Sequence, residues 1–293
     1  MKLTLHKIGD DMKLVRFGSP GQEKPGIVDQ EGKIRDLSSV VDDISGRALL
    51  DSELERIRST NLYGLPLVDE GTRLGACVSG IGKFLCIGLN YSDHAKEANM
   101  PIPKEPIMFM KATSAVVGAN DDVTIPKDSN KSDWEVELGI VIGKTARHVS
   151  EDDALSHVAG YCVVNDLSER EFQIERGGQW VKGKSCDTFG PIGPWLVTRD
   201  EIPDPQALLM WLEVDGVRYQ DGSTSTMIFG VAELISYCSR FMTLETGDVI
   251  STGTPPGVGM GQKPEPIYLK AGQQIRLGVE GLGEQEQKTV AFN

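Results

Sequence analysis

Histidine is scarce, cysteine is unpatterned and long apolar runs are missing, and each shortage removes a class of function. Among 293 residues there are only four histidines, His6, His94, His148 and His157, which leaves little for a multi-histidine metal site. The five cysteines (Cys77, Cys86, Cys162, Cys186 and Cys238) are odd in number and form no C-x-x-C pair. Neither a disulfide framework nor a zinc knuckle is suggested, and a reducing cytosol is the expected compartment. No apolar run approaches the roughly 18–20 residues that span a bilayer; even the stretch from Leu138 to Ile142 is broken by Gly139 and followed by Gly143 and Lys144. Membrane insertion is not expected. The opening residues MKLTLHKIGDD carry positive charge without a continuous apolar stretch or a small-residue cleavage site, so they do not read as a secretory signal. Positive charge is also in deficit, 30 Lys and Arg against 43 Asp and Glu. A net charge of −13 has the wrong sign for binding a phosphate backbone by counterion release.

What is present is the composition of a folded, turn-rich protein: 39% apolar and 25% charged residues, with 33 glycines and 15 prolines. The length accommodates one large domain, or a large domain with a small one. Met12 followed by KLVRFG resembles a second start, so residues 1–11 are expected to be a leader or a loose extension. A small domain over 12–75 is predicted from short β-like pieces, a hairpin connection at Asp29–Gly32, and a helix over 47–58 built on Leu49, Leu50, Leu54 and Ile57. Residues 65–82 read as a linker. From Lys83 onward β-type segments dominate (FLCIGLN, EVELGIVIG, GYCVVND, LLMWLEVDG, DVISTG, QIRLGVEGL). Helical patterns are fewer: DHAKEANM, EDDALSHV, SEREFQIERG and VAELISYCSRF. The expected fold is α+β and mostly β, with peripheral helices and no dinucleotide-binding turn.

The sharpest feature is Trp134 to Ile142. In a strand, residues two apart share a face, so Val136, Leu138, Ile140 and Ile142 form an apolar face while Glu135 and Glu137 point together to the other. With Cα atoms roughly 7 Å apart, both carboxylates reach one ion; the plain alternative is a half-exposed strand with a solvated edge. A third carboxylate, Asp166, ends the buried strand YCVVND, and Ser168 to Glu171 has capping-box spacing, so Asp166 could equally belong to a capping turn. Three neighbouring carboxylates repel and take up protons unless a cation holds them, and oxygen donors suit Mg²⁺ or Mn²⁺.

His94 and Glu97 are three apart on a helix expected to begin near Ser92. The carboxylate can orient the imidazole and stabilise its protonated form, a pair able to draw a proton from water; a surface histidine with a casual neighbour is the alternative. The stretch from Trp180 to Pro191 places Lys182 and Lys184 among glycines, suited to a carboxylate or a developing oxyanion, or else a solvated turn. After the strand DVI, Ser251 to Gly259 is stiffened by prolines, opened by glycines and supplied with hydroxyls by Thr252 and Thr254. It lacks the Gly-Lys-Ser/Thr ending of a phosphate loop.

Taken in order, IGLNYSDHAKE, FMKATSAV, WEVELGIVIGK, YCVVNDLSEREFQ, KGKSCDTFGPIGPW and STGTPPGVG resemble the fumarylacetoacetate hydrolase superfamily over residues 83–293. The resemblance implies a mixed β-sandwich roll behind a small N-terminal α/β domain, a homodimer, and Mg²⁺ (Mn²⁺ as an alternative) on Glu135, Glu137 and Asp166. It implies water activation by His94 with Glu97, oxyanion stabilisation by Lys184, and substrate contacts at Arg170, Gln173 and Thr254. The implied activity is hydrolysis of a C–C bond in a small anionic 2,4-diketo acid. KLVRFG, YSDHAKE and NDLSEREFQ place the chain nearest the branch acting on 2,4-diketo-3-deoxy sugar acids of the L-rhamnonate or L-fuconate type, a branch that often carries the label ureidoglycolate lyase. Acylpyruvate hydrolysis, oxaloacetate decarboxylation, ureidoglycolate cleavage and a catalytically silent binding protein are the alternatives.

Overall fold

The computed structural model describes residues 12–97 and 100–292; the expected leader, residues 1–11, lies outside them. Among the described residues two large sheets and one two-stranded pair carry the chain. The larger runs, in spatial order, Ile34–Asp36, Lys24–Val28, Lys13–Phe17, Gly190–Thr198, Val158–Asn165, Val136–Ile142, Val249–Ser251, Phe84–Gly88 and Ile107–Lys111, with Val116–Gly118 added in parallel to Gly190–Thr198. The smaller runs Val217–Ser223, Leu209–Val214, Gln274–Val279, Gly283–Ala291 and Val123–Ile125. The architecture is mostly β with mixed pairing, as the sequence predicts.

Alternation decides what lies between the layers. Val136, Leu138, Ile140 and Ile142 pack with Tyr161 and Val163 against Met210, Leu212, Ile275 and Leu277 of the second sheet and Leu234 and Ile235 of the helix Val231–Phe241. Each such fully buried aliphatic contributes roughly 1.5–3 kcal/mol. The opposite face of the same strand is buried too. Val141 joins Cys162, Val164, Phe84 and Val249 in a second cluster, closed from outside by Leu14, Ile27, Leu37, Ile44, Leu49 and Ile57 of the N-terminal segment. Every residue of Val136–Ile142 is therefore buried, and the half-exposed alternative does not hold. Gly139 is required by this double covering, since a Cβ there would stand 2.7 Å from Val164 Cγ2 and 2.8 Å from Cys162 Sγ.

The N-terminal segment extends the large sheet: Lys13 and Leu14 pair antiparallel with Val197 and Leu196. Its apolar residues thus share one core with strands from beyond residue 83. The predicted hairpin is present, with Asp29 accepting from the Glu31 and Lys33 amides. The helix predicted over 47–58 is a 3₁₀ turn, Gly46–Leu49, followed by the α-helix Asp51–Arg58.

Two elements differ from the sequence reading. The helix expected from Ser168 is a short strand, Ser168–Glu169, paired with Ser132–Asp133, followed by a π-helical turn, Glu171–Glu175. The Ser168 hydroxyl donates to Asp166 O and makes no capping box. The strand Gly283–Ala291 escapes hydropathy because its inward residues are Gln285, Gln287 and Thr289, all fully buried. Their amides are satisfied inside: Gln285 Nε2 donates to Val163 O and Gly193 O, and Gln287 Nε2 to Ala119 O.

Candidate metal and catalytic centre

Antiparallel register puts Asn165 opposite Val136, so the residues just outside the ladder, Glu135 and Asp166, meet at one end of the sheet, and the Asp166 amide donates to Glu135 O. Glu137 stands one pleat further in. One carboxylate oxygen from each of Glu135, Glu137 and Asp166 lies within 4.8 Å of the others, and all three side chains are buried. Side-chain amides fix the backbone at this point. Glu135 N donates to Asn165 Oδ1 (3.3 Å) and Val136 N to Gln220 Oε1 (3.0 Å), while Asn165 Nδ2 donates to Gln287 Oε1. The loop after Val249–Ser251 closes the opposite side, with Ser251 Oγ and Gly253 N donating to Glu137 Oε2 at 2.5 and 2.8 Å.

Cations are interleaved among these acids. Lys184 Nζ sits 2.5 Å from Glu135 Oε2 and 2.8 Å from Asp166 Oδ2. Arg170 donates from Nη2 to Glu135 Oε1 at 2.7 Å. Lys111, fully enclosed, brings its Nζ to 2.6 Å from Asp166 Oδ1. That last contact is an ion pair without hydrogen-bond alignment, because the ammonium donates to Leu167 O and Lys184 O and leaves Asp166 Oδ1 with no aligned donor.

Protonation follows from this arrangement. Burial works against ionisation of Glu135, but the Lys184 ammonium and the Arg170 guanidinium overcome it and hold its carboxyl down to about 2. Among the described residues Glu137 has no cation in contact, and burial together with the charges of Asp166 and Glu135 pushes its carboxyl well above the usual range. Lys184 is raised by Asp166 and Glu135 against the effect of burial. The cluster is therefore short of positive charge beside Glu137 and has a buried oxygen without an aligned donor on Asp166. Three hard oxygen donors with those two deficits fit a divalent cation.

Lys184 reaches the centre because the turn Val181–Lys184 packs tightly on the π-helical turn. A Cβ on Gly183 would lie 2.2 Å from Glu169 O and 2.5 Å from Gln173 N. Gln173 is buried and accepts from Arg170 Nη1 at 3.1 Å. Thr254 is buried as well; its hydroxyl donates to Val136 O and accepts from Gln220 Nε2. The Thr252 hydroxyl donates to Leu138 O. Both threonine hydroxyls thus bind the loop to the carboxylate strand. Lys182 is exposed, its Nζ donating to Arg176 O.

The second group sits on the helix Ser92–Glu97, which follows Phe84–Gly88. Asn90 locks the junction: Oδ1 accepts from Phe229 N, and Nδ2 donates to Phe229 O and Thr252 O. His94 Nδ1 stands 3.1 Å from Glu97 Oε2. The bond to His94 holds the Glu97 carboxyl below its usual range, and Gly257 N adds a donor at 3.3 Å. Among the described residues no hydrogen bond or ion pair links this pair directly to the carboxylates. Gly257 belongs to the loop that also clasps Glu137.

The structure thus gathers Glu135, Glu137, Asp166, Lys184, Arg170 and Gln173 into one network and ties Glu97, the partner of His94, to the loop that clasps Glu137. Two members were missed in the sequence. Lys111 ends the strand IMFMK, where a lone lysine after apolar residues was the available signal. Asp133, bonded to Arg170 Nε at 2.8 Å, directly precedes Trp134 and Glu135.

With this geometry in hand, comparison with known proteins is informative. The family model described as fumarylacetoacetate (FAA) hydrolase C-terminal matches residues 83–290. A Burkholderia multivorans protein, described provisionally as a hydrolase, is 66% identical over 280 residues, which is 96% of this chain and 99% of that one. The solved fumarylacetoacetate hydrolase of Exiguobacterium antarcticum is 37% identical with a TM-score of 0.85, covering 96% of this chain and all of that one. The maleylpyruvate hydrolase of Sphingobium sp. SYK-6, solved with manganese(II) and pyruvate, is 29% identical with a TM-score of 0.79, at 96% and 100% coverage. The chain belongs to the fumarylacetoacetate hydrolase family, whose solved members include hydrolases and isomerases.

Proposed function

We propose that this protein is a Mg²⁺-dependent hydrolase that cleaves a C–C bond in a 2,4-diketo acid, most closely a 2,4-diketo-3-deoxy sugar acid, and releases pyruvate and a hydroxy acid. The observation that carries the reading is the buried trio Glu135, Glu137 and Asp166 with the Lys184 ammonium between two of its members. The sugar-acid branch is favoured by the stretches KLVRFG, YSDHAKE and NDLSEREFQ.

An ion held by Glu135, Glu137 and Asp166 supplies Lewis-acid polarisation of the α-keto acid end of the substrate, with Mn²⁺ as the alternative to Mg²⁺. His94 takes a proton from water at Nε2, since Nδ1 faces Glu97, and the Glu97 carboxylate stabilises the imidazolium that forms. The water oxygen bonds to the remote carbonyl carbon. Breaking the adjacent C–C bond sends its electron pair into the three-carbon fragment, whose methylene carbon then takes up a proton to give pyruvate. Lys184 and Arg170 provide fixed positive charge for the substrate's anionic oxygens, and they offset locally the repulsion expected from a chain of net charge −13. Thr254 keeps the Ser251–Gly259 loop against this side of the site.

A cytosolic homodimer is the setting we propose. All five cysteines are free thiols, and no helix among the described residues is long and apolar enough to cross a membrane. The test is pyruvate release from a panel of 2,4-diketo sugar acids, acylpyruvates, oxaloacetate and ureidoglycolate, with EDTA and with Mg²⁺ or Mn²⁺ added back. Sugar-acid cleavage that EDTA abolishes and metal restores is expected; full activity after metal stripping refutes the reading. His94→Ala is expected to impair hydrolysis more than proton exchange on pyruvate.

A further inference from the structure

Asp133 is a fully enclosed carboxylate beside the centre that has no part in the steps above. Its two oxygens receive four donors. Oδ1 accepts from Trp134 N at 2.8 Å and Gly259 N at 2.6 Å, and Oδ2 accepts from Met260 N at 3.0 Å and Arg170 Nε at 2.8 Å. Backbone amides require an acceptor that need not be charged; an asparagine with its oxygen in the Oδ1 place would still take Trp134 N and Gly259 N, while its NH2 would face Met260 N and Arg170 Nε. A guanidinium removed from water is different, because it requires an anion.

Arg170 is 5% exposed and is fastened on three edges: Nε to Asp133, Nη2 to Glu135 and Nη1 to Gln173. Without Asp133, Glu135 would be the only carboxylate among the described residues in contact with that guanidinium. Glu135 is also bound by Lys184 and belongs to the acidic trio, so it cannot fix Arg170 by itself.

We propose that Asp133 is a positioning residue that acts through Arg170. It holds the Nε edge of the guanidinium, fixes which N–H groups meet the substrate anion, and ties that orientation to the Gly259–Met260 turn. The inference rests on the functional reading insofar as Arg170 serves a bound anion.

Pyruvate binding to the Mn²⁺-loaded protein, measured by calorimetry, tests the proposal without requiring turnover. Asp133→Asn is expected to weaken pyruvate about tenfold in the wild-type background and less than about twofold in an Arg170→Gln background, because residues that act through one another are not additive. Mn²⁺ affinity titrated alone is expected to stay within about threefold, since Asp133 is outside the acidic trio, whereas loss of a metal ligand's supporting partner typically costs roughly 10–100-fold. Equal weakening of pyruvate in both backgrounds, no weakening in either, or a collapse of Mn²⁺ affinity would each overturn the proposal. A wild-type protein that binds no pyruvate would overturn it as well.

Should Asp133→Asn fail to fold, the wild-type protein decides. The Arg170 Nε–H resonance, identified by its loss in Arg170→Gln, is expected to be protected from solvent exchange, and an unprotected proton sinks the idea. Binding of pyruvate without cleavage of any diketo acid would refute the functional reading and leave the cycle intact. Cleavage with additive losses would refute only the role of Asp133.

Discussion

Replacing Lys184 with methionine removes one charge from the centre and keeps an unbranched side chain one atom shorter. In the native arrangement the ammonium spans Glu135 Oε2 and Asp166 Oδ2 at 2.5 and 2.8 Å, with only 2% of its side chain exposed. Lys184→Met leaves, among the described residues, Arg170 as the one cation in contact with Glu135 and Lys111 as the one in contact with Asp166. Breaking a buried pair by removing one partner costs about 3–5 kcal/mol. Protonation of a freed carboxyl relieves part of that, so the lower end applies at neutral pH. At roughly 2 °C per kcal/mol for a chain of this length, the metal-free variant is expected to melt about 6 °C below the metal-free wild type. Divalent cations should then reverse the order of gains. A ligand at 100 times its dissociation constant stabilises by about 2.7 kcal/mol, and the variant, with no ammonium among the donor oxygens, is expected to bind Mn²⁺ more tightly and gain more. Thermal melts of both proteins with EDTA and with a Mn²⁺ series read this directly. An unchanged metal-free melting point, or a smaller Mn²⁺ gain in the variant, would refute the placement of Lys184 as a fixed cation between two carboxylates of the proposed metal site.

Glu137→Gln is expected to melt within about 1 kcal/mol of wild type without metal, because the amide oxygen still accepts from Ser251 Oγ and Gly253 N, as expected where a neutral form is favoured. Calorimetry should show Mn²⁺ affinity reduced at least about tenfold, the lower range for disturbing a metal site. Gly183→Ala forces a Cβ to 2.2 Å from Glu169 O, costs roughly 1–3 kcal/mol of overpacking, and is expected to lower turnover by displacing Lys184; wild-type kinetics would refute the packing argument. Glu23 and Asp43 lie in the N-terminal charge network. Burial raises both carboxyls, but Arg73 (for Glu23) and Arg16 with Ser79 (for Asp43) hold them below their usual values of 4.5 and 3.8. Groups lowered on folding lend stability that is complete above those values and lost as pH falls through the lower folded values. The contribution of these two groups is thus expected to be flat down to about pH 5 and to erode below about pH 4, so that Asp43→Asn falls less steeply than wild type in that acid range; urea midpoints of both proteins against pH measure the difference.

Much of the site was legible because its framework obeys period two. Val136, Leu138, Ile140 and Ile142 reveal the strand, and alternation forces Glu135 and Glu137 to the same side. What could not be read is non-local. Ser168 and Glu169 carry helix-start chemistry, yet Ser132 and Asp133, far back in the chain, take their backbone into a strand pair. Gly190–Thr198 contains Pro191 and Pro194, which argue against an interior strand, but it lies between Lys13–Phe17 and Val158–Asn165. From the sequence, three carboxylates are expected to repel and take up protons unless a cation holds them; among the described residues Lys111, Lys184 and Arg170 supply much of that charge internally, and within the trio Glu137 has no partner of opposite sign in contact. Lys111 and Asp133 stayed hidden for the same reason, since a lone charge at a strand end does not tell which distant residue it turns inward to meet.

Glu137 and the residues flanking Glu135 and Asp166 hang from ladders in the middle of the large sheet, with Val249–Ser251 on one side and Gly190–Thr198 on the other. Interior ladders are the last to open when a sheet loosens, and its margins go first. The spacing of the clustered carboxylate oxygens should consequently survive warming that already frays the outer row at Ile34–Asp36, whereas the other margin, Ile107–Lys111, is pinned to the cluster by Lys111.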